Sequence, residues 1–304
     1  MSEANAPDPK PSATATLMKL VVLPAVVVLA LVVVIAWLAS PGTDVEALVE
    51  SLEKPGDARL AAAVELAAAL DHPDNDPLRR DPILARRLAD VLQREIETGG
   101  MEPDELRLRT YLCRALGGFQ VADPLPALLT ASKTQRSEQE VEVQLTALRS
   151  VGSLASHLDA ADLQRVPQLL DVLLASAADP RPEIRERAAF VLGVVGGDRA
   201  MTQLETMLQG QPAEVRYNAA TALARHGNAA GAEVLLEMLT PSQTSGKYFS
   251  RSRIHLSALE AIDRLLEAGA SDELDELRPA VERLTRGDVE TPLRVKAVEV
   301  LERW

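Results

Sequence analysis

Four histidines, one cysteine and a short acidic run are the side chains of this 304-residue chain that could carry catalysis or hold a metal. Their spacing argues against each use. His72, His157, His226 and His255 are scattered, with no HExxH or similar pairing to place two imidazoles on one helix face. The lone Cys113 excludes an internal disulfide, a CxxC redox pair, a c-type haem and a cysteine-rich zinc site. Its setting, Leu112-Cys113-Arg114-Ala115-Leu116, reads as that of a small buried residue. Asp71, Asp74, Asp76 and Asp81 crowd one loop whose oxygens could hold Ca²⁺. That loop lacks the Gly and closing Glu of an EF-hand and is stiffened by Pro73 and Pro77, so a solvated linker is expected. With no nucleophile beside a base, the expectation is a chain without catalysis, metal or cofactor.

Recognition chemistry is better represented. Between Thr240 and Arg253 the chain carries Lys247, Tyr248, Phe249, Arg251 and Arg253 in a loop longer than its other turns. Long loops on repetitive scaffolds often carry function, and Tyr, Phe and Arg are frequent interface residues. This segment is the expected partner contact; the alternative is that Phe249 plugs a neighbouring groove while the cations neutralise acidic neighbours. Aromatics make up only 3% of the chain, too few for base-stacking platforms, and the net charge of −13 repels nucleic acid. A protein with a basic surface is the natural complement, and no nucleic-acid partner is expected.

A ten-residue phrase supplies the elements that position these residues: a branched aliphatic, Arg or a near substitute, two variable residues, then a small apolar face. It opens at Ala58, Leu108, Val143, Ile184, Val215, Ile254 and Leu293, with starts 50, 35, 41, 31, 39 and 39 residues apart. Repetition on that scale means a solenoid. Positions one, five, six and nine fall on adjacent faces of a helix, so Ile184, Ala188, Ala189 and Leu192 should pack inward. An apolar helix precedes each phrase, which predicts seven helical hairpins: 44–53 with 57–70, 81–98 with 103–116, 123–132 with 137–155, 162–177 with 181–195, 198–209 with 212–226, 229–239 with 251–267, and 271–286 with 290–304. Proline at 180, 182 and 212 and glycine at 196, 197, 210 and 227 punctuate the turns.

The phrases running from Asp179 to Gly193 and from Gln211 to Leu223 resemble HEAT repeats, close to the variety related to phycobilisome lyases. The resemblance covers residues 44–304 and is strongest over 162–239. It implies that the phrase helix lines the concave surface. It further implies a structural ladder in which Arg59, Arg109, Arg185, Arg216 and Arg294 bond acidic residues of their own turns, with Asp57, Asp104, Asp179 or Glu183, Glu214 and Asp288 as candidates. Gln144 and His255 depart from the pattern at the third and sixth rungs. Some relatives are lyases that attach bilin chromophores, so a protein-modifying enzyme is the alternative to a scaffold.

Residues 20–39 contain no charge and would span roughly 30 Å as a helix, the thickness of a hydrocarbon core. A signal peptide fits less well, because its apolar region is shorter and the cleavage motifs here are poor. A transmembrane anchor over 17–40 is therefore expected after a disordered tail at 1–16. Lys10 and Lys19 precede the span, while Asp44, Glu46, Glu50 and Glu53 follow it, which places the N-terminus in the cytoplasm. The solenoid at 41–304 would then be extracytoplasmic, in the periplasm if the chain is bacterial. Together these readings give an all-α chain, one transmembrane helix followed by an α-solenoid of about seven hairpins. It would act as a scaffold for a protein partner at the membrane or as an accessory subunit of a membrane complex.

Overall fold

The computed structural model describes residues 44–54, 56–240, 251–286 and 289–304. Its contacts divide the chain into two units, Met1–Glu46 and Ala47–Trp304, and the second carries the repeats. Fourteen α-helices of at least seven residues pair as seven hairpins among the described residues. They are α1 (Val45–Glu53) with α2 (Ala58–Asp71), α3 (Pro82–Thr98) with α4 (Pro103–Leu116), and α5 (Leu125–Lys133) with α6 (Val141–Ala155). Next come α7 (Leu169–Ala177) with α8 (Pro182–Val195), and α9 (Asp198–Thr206) with α10 (Ala213–Arg225). The last two are α11 (Ala232–Met238) with α12 (Arg251–Glu267), and α13 (Arg278–Arg286) with α14 (Thr291–Arg303). No strand occurs among the described residues.

The helix starts follow local chemistry. Asp81 accepts hydrogen bonds from the Ile83 and Leu84 amides at 2.8 and 3.2 Å, satisfying donors that open α3. Glu102 and Glu105 form a reciprocal capping box before α4, whose first residue is Pro103. Pro182 likewise opens α8, where its missing N–H leaves no bond unmade.

Each phrase helix but the last packs along the second helix of the next hairpin. The first helices touch one another less, which puts the second helices on the inner side of the stack. Ile184, Ala188, Ala189 and Leu192 are buried as their spacing requires, and Val215, Ala219, Ala220 and Leu223 repeat the arrangement on α10. Small residues set how closely the inner helices approach. A Cβ added to Gly193 would overlap the Cβ of Ala222, so α8 and α10 meet at a distance only glycine permits there. Cys113 occupies on α4 the small position that Ala189 holds on α8, fully buried, and burial pushes its thiol pKa up to about 12.

Several first helices are interrupted where long ones are expected. The fourth breaks into a short helix, Ala160–Gln164, and α7, separated by Pro167 and by Gln168 at φ 63°. Proline withholds a helix hydrogen bond, and the left-handed Gln168 reverses the chain direction locally. The seventh opens as a 3₁₀ segment, Ser271–Leu277, before α13, whose second residue is Pro279. In the third hairpin a 3₁₀ turn, Glu138–Glu140, replaces the expected start of α6.

The expectation of a single-pass membrane protein is corrected. Among the described residues no helix is long and apolar enough to cross a membrane. The longest, α3 and α12, have 17 residues each and carry several charged side chains. At about 1.5 Å per residue such a helix falls short of a roughly 30 Å hydrocarbon core, and its charges oppose insertion. The segment 20–39 on which that expectation rested lies outside the described residues, as does the tail at 1–16. The orientation and extracytoplasmic placement argued from Lys10 and Lys19 depended on that span and fall with it.

Candidate protein-binding face

The arginines of the phrase bind the turns beside them. Arg59 on α2 donates to the Leu52 carbonyl at 3.0 Å, and Arg109 on α4 to the carbonyls of Glu95 and Gly100 at 3.0 and 2.9 Å. Arg185 on α8 donates to the carbonyls of Asp179 and Pro180, both at 2.8 Å. Arg216 on α10 reaches the Gln211 carbonyl at 3.2 Å, and Arg294 on α14 the Val289 carbonyl at 3.3 Å. Each guanidinium thus satisfies oxygens at its own intra-hairpin turn, where a helix end leaves them unpaired.

Their side-chain partners differ from those expected. Arg59 pairs with Glu95 of the next hairpin at 2.6 Å, and Arg109 with Glu140 of the next at 3.6 Å. Arg185 donates to Gln211 at 2.8 Å, and Arg216 makes a two-pronged contact with Glu237 on α11. The rungs therefore join one hairpin to the following one. The Asp179 carboxylate is occupied by Arg181, which also donates to Gln144 at 2.9 Å and so bridges the third and fourth hairpins. Asp288 lies outside the described residues. Burial raises the Glu237 carboxyl pKa, but hydrogen bonds from Arg216 and Tyr217 outweigh it and hold the group below the usual carboxylate range. Burial, followed by the nearby Arg136, pulls Arg109 below the ordinary guanidinium range.

At the sixth rung His255 leaves a gap. The imidazole is buried, its Nε2 has no hydrogen-bond partner, and desolvation with nearby Arg251 lowers its pKa, favouring the neutral ring. A cavity of about 360 Å³ opens there, lined by Leu239, Arg251, His255, Arg283 and Glu290. Lys247, Tyr248 and Phe249 of the expected partner loop lie outside the described residues. Arg251 and Arg253 begin α12, Arg251 at this cavity and Arg253 on the inner face.

A second arginine column, absent from the sequence reading, occupies that inner face. Arg114, Arg149, Arg187, Arg225, Arg264 and Arg303 fall one per second helix from α4 to α14, at intervals of 35, 38, 38, 39 and 39 residues. The repeating interval was the signal that could have revealed it. The outer members are paired, Arg114 with Asp71 at 2.6 Å and Arg303 with Asp263 at 2.7 Å. The inner four make no ion pair or side-chain hydrogen bond among the described residues, and the Nε of Arg187 is buried without a partner. Burial and then the charge of Arg149 lower the Arg187 pKa; burial and then Arg264 lower that of Arg225. Arg225 stacks over Phe190 with its guanidinium carbon 5.6 Å from the ring centroid. Phe190, Tyr217, Thr221, Arg225 and Arg264 line a cleft of about 250 Å³ between α8, α10 and α12.

The other candidates have local roles. Asp71 pairs with Arg114, Asp76 with Arg79 and Arg80, and Asp81 caps α3, so the acidic loop is tied into its surroundings. No group of three or more His, Cys, Asp or Glu side chains is placed to hold a metal among the described residues. His226 Nε2 lies 2.8 Å from the Gly193 carbonyl, and His72 accepts from the Asp74 amide at 3.3 Å. These polar groups bind backbone and neighbours, whereas on the inner face Arg149, Arg187, Arg225 and Arg264 form no ion pair among the described residues.

The HEAT-repeat family model matches residues 166–245, which include the most regular phrases. A comparison with curated proteins gave no match. Among solved structures the chain is similar to the karyopherin Kap121p bound to the extreme C-terminus of the protein phosphatase Cdc14p. That match has 18% identity and a TM-score of 0.51, and covers 85% of this chain and 29% of that one. Kap121p bound to Pho4p gives 16% identity, the same coverage and a TM-score of 0.51. The complex of CpcE and CpcF of phycocyanin lyase from Nostoc sp. PCC7120 is matched at 19% identity, over 87% of this chain and 96% of that one, with a TM-score of 0.48. The chain spans less than a third of the karyopherin. At these identities the shared property is the fold, an all-α solenoid of HEAT- and armadillo-like hairpins.

Proposed function

We propose that this chain is a protein-binding scaffold that holds its partner along the inner face of the solenoid and performs no catalysis of its own. The observation that carries this reading is the cleft between α8, α10 and α12. There Phe190 offers ring surface, with Tyr217 buried beside it, next to Arg225 and Arg264, which form no ion pair among the described residues although Glu214 and Glu260 also line the cleft. Arginine and aromatic side chains in a concave site are the residue types that dominate binding energy at protein interfaces. Kap121p, which shares the fold, is found bound to Pho4p and to Nup53p, so a solenoid of this architecture can hold other proteins. For a role without catalysis the support is the dispersal of the histidines over separate hairpins and the full burial of Cys113.

Site-specific photocrosslinking tests the reading. A photoreactive residue replacing Thr221, in the cleft, should crosslink one discrete protein in cells. The same residue replacing Arg199, on α9 in the outer layer, should not. Equal labelling from both positions, or none from Thr221, rejects the inner face as the binding surface.

A further inference from the structure

The four unpaired arginines specify the chemistry of what the inner face receives. In a protein of net charge −13, carboxylates are abundant. Yet among the described residues Arg149, Arg187, Arg225 and Arg264 have none within ion-pair distance, Glu186 and Glu142 acting on Arg187 only from farther off, and they lie near one another in two pairs, Arg149 with Arg187 and Arg225 with Arg264. Like charges on adjacent helices destabilise the unliganded fold, and a buried guanidinium nitrogen without an acceptor adds to that. Both terms change sign when carboxylates arrive from outside.

We propose that Arg149, Arg187, Arg225 and Arg264 bind an extended acidic segment of a partner protein, its carboxylates gathered at the two arginine pairs and its apolar residues lying over Phe190. This rests on the scaffold reading above and adds the chemical class of the partner. The pairs sit on α6 with α8 and on α10 with α12, two helix spacings apart, or about 16–20 Å for typical packing. An extended chain advances about 3.3–3.6 Å per residue, so the two acidic clusters should be roughly five or six residues apart. Glu142, Glu186, Glu214 and Glu260 interleave with the arginines on these helices. They would repel the continuous charge of a nucleic acid but can be straddled by a segment with neutral residues between its clusters. The surface thus takes an acidic segment despite the acidity of the whole chain, from which a basic partner is expected.

The test uses the full chain and a fluorescein-labelled peptide with two Glu-Glu pairs separated by four apolar or neutral residues, its Gln counterpart, and a thymidine oligonucleotide of equal charge. Fluorescence anisotropy should show the Glu peptide binding roughly tenfold or more tighter than the Gln peptide, with the preference shrinking as salt rises. Arg225→Glu with Arg264→Glu, and separately Arg149→Glu with Arg187→Glu, should each remove most of that preference. Arg199→Glu should not. The milder Arg225→Gln with Arg264→Gln, checked for folding by circular dichroism, guards against loss of binding through misfolding. Equal binding of the Glu and Gln peptides, unchanged binding by the folded Gln variant, or tighter binding of the oligonucleotide overturns the proposal. If the Thr221 crosslink persists while the charge variants have no effect, the scaffold reading stands and the acidic-segment proposal fails; loss of the crosslink in the unaltered cleft removes both.

Discussion

Arginines in this protein do two jobs, and single substitutions should separate them. Arg216 bonds the Gln211 carbonyl, holds Glu237 with two nitrogens and sits beside Tyr217, whose hydroxyl donates to Glu237 at 3.0 Å. Replacing it by Ala leaves a half-buried carboxylate with only the Tyr217 hydroxyl and a turn carbonyl without its donor, so a loss of about 1–3 kcal/mol is expected in urea or thermal unfolding. Arg225 has no carboxylate to lose and sits beside Arg264. Arg225→Gln should therefore leave the melting temperature unchanged or raise it; a drop as large as that of Arg216→Ala would show Arg225 to be structural. The pH dependence has a defined sign. The Glu237 pKa is depressed in the folded state, so its contribution is complete above the unfolded value of about 4.3 and is lost as pH falls through the lower folded value. Glu237→Gln should consequently be less stable than the parent at neutral pH, with the difference narrowing below about pH 4. A constant difference down to pH 2 would mean that the pair contributes nothing through its charge.

Helix-level properties rest on how closely the phrase helices approach. Gly193 faces Ala222 across α8 and α10 with no room for a Cβ, and Leu192 beside it is fully buried. Gly193→Val must push the helices apart and should cost about 1–3 kcal/mol, whereas an exposed change such as Val298→Ala on α14 should cost little. This layer was legible in the sequence because one spacing rule determines both its faces: Ile184, Ala188, Ala189 and Leu192 turn inward at helical intervals, and their counterparts on α10 do the same. The first helices were less legible. Pro167 and Pro279 shorten them, but neither residue alone says whether the helix ends, kinks or tightens to a 3₁₀ turn, which neighbouring hairpins decide. For the arginines, position was readable and partner was not. Glu95, Glu140 and Glu237 reach the ladder from the following hairpin, a three-dimensional relation that a local search for acids within the same turn misses. The inner column was hidden differently, since its arginines occupy different positions of the phrase and align only by their repeat interval and shared helix face.

For the solenoid unit as a whole, energetics follow from contacts that lie almost all within a hairpin or between consecutive hairpins. The rungs at Arg59, Arg109, Arg185 and Arg216 also join one hairpin to the next, as in Arg59 to Glu95 and Arg216 to Glu237. In such a stack stability is close to a sum of hairpin terms and nearest-neighbour interfaces, so damage at one interface is felt there first. Gly193→Val strikes the interface between the fourth and fifth hairpins. Amide hydrogen exchange should then quicken in α8 and α10, with smaller changes in α6 and α12, while α2 and α4 keep their protection. A globular core would respond otherwise, because its helices share one interior and open together. Uniform acceleration from α2 to α14 would show a single cooperative unit and refute the nearest-neighbour picture. The same locality bears on binding: an acidic segment bridging Arg149 to Arg264 would span four consecutive inner helices and should slow exchange across α6, α8, α10 and α12 together, coupling interfaces that the free stack leaves nearly independent.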